Sequence, residues 1–254
     1  LVEGQATESD MWGRSVSRAC ADGQYFEIND DGELTMVPGS LGLRKILTYG
    51  QSGTFTFKKN DYPWLARVRV IVQGAGGGSA GANAASGQCI VRPGGAGGGY
   101  AESLIEASAL GAAETIVVGA GGAGGTGNAA GSAGGSSSFG GFAIANGGDG
   151  GTAFQNSATG LDAVSGVTGP VANRGQIASG GGAGGGAIRL SATQGLGGAG
   201  GDSRLGFGGL ARATEGPGTT PRGWGGGAGG PVSYGAAESG ADGGGGLVVI
   251  ELYG

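Results

Sequence analysis

The chain has 254 residues, 68 of them glycine, a net charge of −5 and no histidine. At this length one large or two small domains are expected. The acidic balance without a basic cluster excludes nucleic acid as an expected partner, and no apolar run approaches the length of a membrane span. Without histidine the commonest general base and metal ligand is missing, so neither catalysis nor a metal or cofactor site is expected.

Residues 1–23 show no clear period, and Leu1 opens a polar stretch in which no signal peptide is read. Short apolar runs at 24–28 and 33–37 flank Asn29-Asp30-Asp31-Gly32, which predicts a hairpin. The acids there lack the remaining ligand spacing of a calcium loop. Residues 40–49 carry Leu41, Leu43, Ile46 and Leu47 and predict one helical turn leading into a strand. Residues 1–52 thus read as an N-terminal connector with a short β-hairpin, and 53–254 as the main domain. Gly53–Lys58 alternates Thr54 and Thr56 with Phe55 and Phe57, as a half-buried strand does. Asp61-Tyr62-Pro63-Trp64 is a turn. Residues 66–73 set Arg67 and Arg69 on one face of a strand and Val68, Val70 and Val72 on the other. Tyr100–Glu106, residues 114–118, Ala143–Ala145 and Leu247–Tyr253 are further strands, each beside a glycine run.

Only eight glycines precede residue 74; beyond it glycine supplies about a third of the chain, against a usual ~7%. Ala120, Ala123, Thr126, Ala129 and Ser132 recur every three residues with glycine filling most positions between, and Leu196, Ala199 and Asp202 repeat the pattern. Neither a helix nor a strand has that period; a polyproline II-type helix does. Such a helix makes no internal hydrogen bonds, so every buried N–H and C=O must find a partner on a neighbouring chain. Gly-Gly-X permits the close approach that this needs. Ordering glycine costs roughly 0.5–1 kcal/mol more per residue than ordering alanine, so one run alone stays disordered. Lateral bonds worth roughly 1 kcal/mol each offset the cost in a bundle. The fold class expected is all-β, an antiparallel β-sandwich whose glycine-rich connections form a bundle of polyglycine II helices. A flexible linker is the competing reading. The strand-like runs inside the tract, the aromatics Phe139, Phe142, Phe207 and Trp224, and the terminal strand argue against it. Proline is too scarce for collagen.

Residues 134–143 resemble residues 200–211, which suggests a repeated point where the chain leaves the bundle and packs an aromatic on its side. Two stretches are less glycine-dense, 152–179 and 203–224, and loops on a rigid scaffold are where recognition usually resides. The contact candidates are Trp224 with Arg222 in the second, and Phe154 with Arg174 in the first. Trp224 offers a face for a sugar ring or a protein pocket, and Arg222 a fork for carboxylate or phosphate. The structural alternative for Trp224 is a cap over exposed glycine backbone. Cys20 and Cys89 form no metal-ligand spacing; a disulfide or two buried thiols are both open. Gly119 to Gly124 matches the dinucleotide fingerprint after a strand, but no helix and no acid follow, so it is rejected.

The glycine runs closing in Gly246-Leu247-Val248-Val249-Ile250-Glu251-Leu252-Tyr253 resemble the glycine-rich domains at the ends of phage tail proteins. Asp31-Gly32-Glu33-Leu34-Thr35, Pro38-Gly39-Ser40-Leu41-Gly42-Leu43-Arg44 and residues 55–70, above all Tyr62-Pro63-Trp64-Leu65-Ala66-Arg67, are similar to minor tail proteins of long-tailed phages of actinobacteria. The resemblance covers most of residues 24–254. It implies an extracellular virion component at the tail tip, a homotrimer beside other tail-tip subunits, contacting a host cell-surface glycan or protein. A purely structural tip or spacer is the main alternative, and an enzyme degrading cell-wall polymer a remoter one. A glycine-rich domain of similar style in an animal receptor kinase family binds a protein ligand, so architecture alone does not fix function.

Overall fold

The computed structural model describes residues 42–254 and, ahead of them, two strands at Phe26–Ile28 and Leu34–Met36. Those two pair antiparallel, as the hairpin reading expects. The turn between them and Cys20 lie outside the described residues.

From residue 42 onward two antiparallel sheets pack face to face. The five-stranded sheet runs Ile177–Ser179, Tyr100–Glu106, Arg67–Gln73, Leu247–Tyr253, Leu43–Tyr49; the four-stranded sheet runs Ala143–Ala145, Ser137–Phe139, Ala113–Val118, Gly53–Lys58. Among the described residues the only helical elements are two 3-10 turns, Lys59–Asp61 and Ala107–Ala109. Alternation along the strands sets the core. Val68, Val70, Val72, Val248, Ile250 and Leu252 meet Phe57, Ile116 and Phe139 of the other sheet, and all are buried. Phe57 and Phe139 touch edge to face at 5.7 Å. Each such side chain contributes roughly 1.5–3 kcal/mol on burial. On the outer face Arg69 bridges Glu102 (2.6 Å) and Glu251 (3.2 Å).

Two expectations are corrected. Leu43–Tyr49 contains no helical turn: it pairs along Leu247–Tyr253 and sends Leu47 and Tyr49 against the core. Leu43–Tyr49 is thus an edge strand of the five-stranded sheet. The resemblance between 134–143 and 200–211 is not structural duplication either. Phe139 sits in a hairpin of the four-stranded sheet with no exposure, whereas Phe207 is 68% exposed on a separate two-stranded ribbon.

The glycine runs leave the sandwich, reach a distal end and return, and they bond to one another laterally. The N–H groups of residues 74–81 rotate among three neighbours. Gly74 and Gly77 donate to Gly99 and Ala96; Ala75, Gly78 and Gly81 donate to Gly135, Ser132 and Ala129; Gly76 and Ser79 donate to Gly244 and Ala241. Its carbonyls accept in the same rotation: Ala75 and Gly78 from Gly148 and Gly151, Gly76 and Ser79 from Gly122 and Gly125, and Gly77 from Ala228. Runs leaving the sandwich thus donate to this one in parallel, and it donates to runs coming back. A β-ladder, by contrast, bonds to two sides only. Three-residue rotation to six surrounding runs is the period seen in the sequence, expressed in hydrogen bonds. Ala120, Ala123 and Thr126 on the outgoing run and Ala129 and Ser132 on the returning one are exposed. Residues 72–82, 89–101 and 225–233 are buried throughout.

Where strand becomes glycine run, the buried Gln73 amide donates to the carbonyls of Gly74, Gly98 and Gly99 at 2.9–3.1 Å. The Gly74 and Gly98 carbonyls are acceptors that the sheet no longer reaches, and that of Gly99 also accepts the Gly74 N–H. Gly225, at φ +74, turns the chain into the bundle beside this amide, and a Cβ there would lie 2.5 Å from the Gln73 Nε2.

Candidate binding surfaces

The four contact candidates fall at three places. Trp224 follows the ribbon in which Phe207 pairs with Arg222, at the sandwich end of the bundle. Its indole lies on Gly50, where a Cβ would sit 2.6 Å from the Cη2 atom, and its edge nears Gly245. The Trp224 backbone N–H donates to the Leu205 carbonyl (3.3 Å), and its backbone carbonyl accepts from the Ser203 hydroxyl. Trp224 is therefore wedged over glycine backbone on one side and 40% exposed on the other. Arg222 is exposed beside it. Nearby, Arg204 covers the Tyr100 ring at 4.7 Å.

Arg174 lies along the side of the sandwich. It exchanges backbone bonds with Ile144 (2.7 and 3.2 Å) and lines a depression of about 800 Å³ with Leu104, Phe142, Glu106, Glu114 and Gln176. The Gln176 amide closes the open edge of the neighbouring strand, accepting from the Leu104 N–H and donating to its carbonyl, both at 2.9 Å. Phe154 is elsewhere. It is 79% exposed and lines an open groove of about 590 Å³ between residues 149–154 and 162–168. Its neighbour Gln155 is tied to the distal end through Val91 and Arg92. Phe154 and Arg174 line separate depressions and do not form a pair.

The distal end is held by two arginines that the sequence reading did not single out. Arg92, 1% exposed, donates to the Gly81 carbonyl (2.8 Å), the Gln155 carbonyl (2.7 Å) and Asn128 Oδ1 (2.8 Å). Burial brings its pKa down to about 10, so it stays charged at neutral pH. Arg189 donates to the carbonyls of Gly160 (2.7 Å), Cys89 (3.0 Å) and Asn156 (2.6 Å), and lies 3.4 Å from the Asp162 carboxylate. Each ties loops from distant parts of the sequence, and a guanidinium's five donors suit that task. A signal existed: Arg189 occupies the inward phase set by Ala187 in its strand. The Cys89 thiol is buried among Val91, Ala187 and Val232, and burial raises its pKa. Among the described residues no cluster of acids or cysteines has metal-binding geometry. Among the described residues no helix is long and apolar enough to cross a membrane.

A family profile described as a glycine-rich domain matches residues 50–253. A comparison with curated proteins finds no match.

Proposed function

This chain belongs to the glycine-rich domain family, and from that premise we propose that it is a non-enzymatic tail-tip protein of a long-tailed phage, placed outside the host cell and contacting its surface. In this reading the glycine runs are polyglycine II helices and form a stiff platform. The observation that carries the proposal is the division between the two ends. The chain joins the sandwich at Leu43, at one end, while the crossovers at the other end are bound together by Arg92 and Arg189. A base that attaches and a loop-bearing end that is held rigid suit a subunit projecting from a particle. The open edges of Leu43–Tyr49 and Gly53–Lys58, the outermost strands of their sheets, leave room for neighbouring subunits, in keeping with a homotrimer among other tail-tip proteins. Trp224, Arg222, Phe154 and Arg174 remain the contact candidates, with a glycan or protein of the host surface as the partner.

The test is competition. Purified protein added to host cells before the phage should block adsorption in a dose-dependent way. Normal adsorption with cells saturated by the protein would reduce it to a structural tip or spacer subunit.

A further inference from the structure

The groove beside Phe154 has the makings of a saccharide site, and we propose that it binds a neutral, hydroxyl-rich glycan; this rests on the reading of the chain as a host-surface contact protein. Three observations converge. Phe154 presents most of its ring to solvent, 79% exposed, at the lip of a groove of about 590 Å³. An apolar face left bare there has no structural task, and it matches the CH-lined face of a pyranose or furanose ring. The groove walls carry acceptors and hydroxyls: Asp149, Asp162, Thr152, Ser165 and Thr168. The Asp162 carboxylate is 42% exposed and is steadied from behind by Arg189, itself held by three carbonyls. Sugar hydroxyls would donate to both aspartates.

Charge decides the class. Among the described residues the charged side chains lining the groove are two aspartates, with no lysine or arginine beside them. Arg189 is buried and committed to Asp162 and the loop carbonyls. A phosphorylated, sulfated or sialylated chain would meet carboxylates without a countercharge. An open groove, unlike a closed pocket, also lets a polymer run through with one residue stacked on Phe154. Trp224 lacks this setting, because its ring is partly used on Gly50.

The experiment uses the full chain on an array of neutral hexose and pentose oligosaccharides, with phosphorylated and sialylated oligosaccharides alongside. The wild type should bind neutral members and ignore anionic ones. Phe154→Ala should weaken binding to the best neutral probe by about tenfold or more, Phe154→Trp should retain it, and both should melt as the wild type does. Binding by Phe154→Ala equal to wild type, preference for anionic probes, or no neutral probe bound would each overturn the assignment. Adsorption separates this from the broader reading. If wild type and Phe154→Ala block phage adsorption equally, the groove is not the site while the tail-tip role stands. If neither blocks but wild type binds neutral sugar through Phe154, the groove stands and the tail-tip role falls. If Phe154→Ala loses blocking, no glycan is bound and protease treatment of cells abolishes attachment, the groove takes a protein and the saccharide proposal is wrong.

Discussion

Replacing Gly122 with alanine adds one carbon atom where the bundle has no space for it. An added Cβ would lie 2.7 Å from the Gly78 N and 2.9 Å from the Ala133 carbonyl carbon, with the Ser132 oxygen closer still. All three are backbone, so no side chain can swing aside. The runs 74–81 and 129–135 must separate, which strains the bonds from Gly122 to Gly76 (2.9 Å), Gly243 to Gly122 (2.8 Å) and Gly78 to Ser132 (3.0 Å). Overpacking costs about 1–3 kcal/mol, and each lateral bond lost costs about 1 kcal/mol more. Restricting the unfolded chain returns about 0.4–1 kcal/mol. The net destabilisation is about 2–4 kcal/mol, a fall in Tm of about 5–15 °C at this chain length. Gly160→Ala is the control: nothing lies within 4 Å of its added Cβ, and its φ is outside the left-handed region. The same chemical change there should be neutral or stabilising by up to about 1 kcal/mol. Thermal unfolding followed by circular dichroism or calorimetry reads both. Equal melting of the two variants would refute the lateral packing described above.

The double variant Arg222→Ala with Trp224→Ala separates recognition from capping at the sandwich end. The contact of the indole with Gly50 predicts a loss of about 1–3 kcal/mol for its removal, read as a lower Tm, whereas an unchanged Tm with lost adsorption would make this ribbon a receptor loop. Acid should weaken the outer face of the five-stranded sheet. The Arg69 guanidinium and then the Tyr100 hydroxyl hold the Glu102 carboxyl below its ordinary pKa of 4.5. A depressed folded-state pKa means that the stabilisation is complete above the unfolded value and is lost as pH falls through the folded one. Between pH 6 and pH 3 the wild-type Tm should therefore drop further than that of Glu102→Gln; parallel curves would show that this carboxylate contributes nothing.

Much of this fold is readable from residues alone, and the failures have physical causes. Val68, Val70 and Val72 alternate with arginines because one face of their strand is buried, and period two survives in the sequence. The outward phase of Ala120, Ala123 and Thr126 is legible because glycine fills the positions between them, where neighbouring backbone lies too close for a Cβ. Which run lies beside which is not legible. Partners such as Gly76 and Gly244 recognise each other through backbone groups that every glycine shares. Leu43, Ile46 and Leu47 have helical spacing, yet pairing with Leu247–Tyr253 overrides it and leaves Ile46 53% exposed. Phe139 and Phe207 sit in similar sequence surroundings, and only the sheet edge available to the first makes it core. Of the contact candidates, the exposure of Phe154 was foreseeable in a glycine-poor loop. Its groove was not, because Asp162 and Thr168 reach it only through the return path of the chain. Arg92 and Arg189 were missed because arginine is usually a surface residue.

Amide hydrogen exchange tests the bundle most directly. Gly76, Gly77, Gly97 and Gly98 donate to Gly244, Ala96, Gly182 and Gly225 and are buried. Their amides should exchange as slowly as those of Val70 and Ile250 in the core strands, through global unfolding alone. Exchange at random-coil rates in these glycines, with the strands still protected, would contradict the lateral bonding and return the tract to a flexible linker.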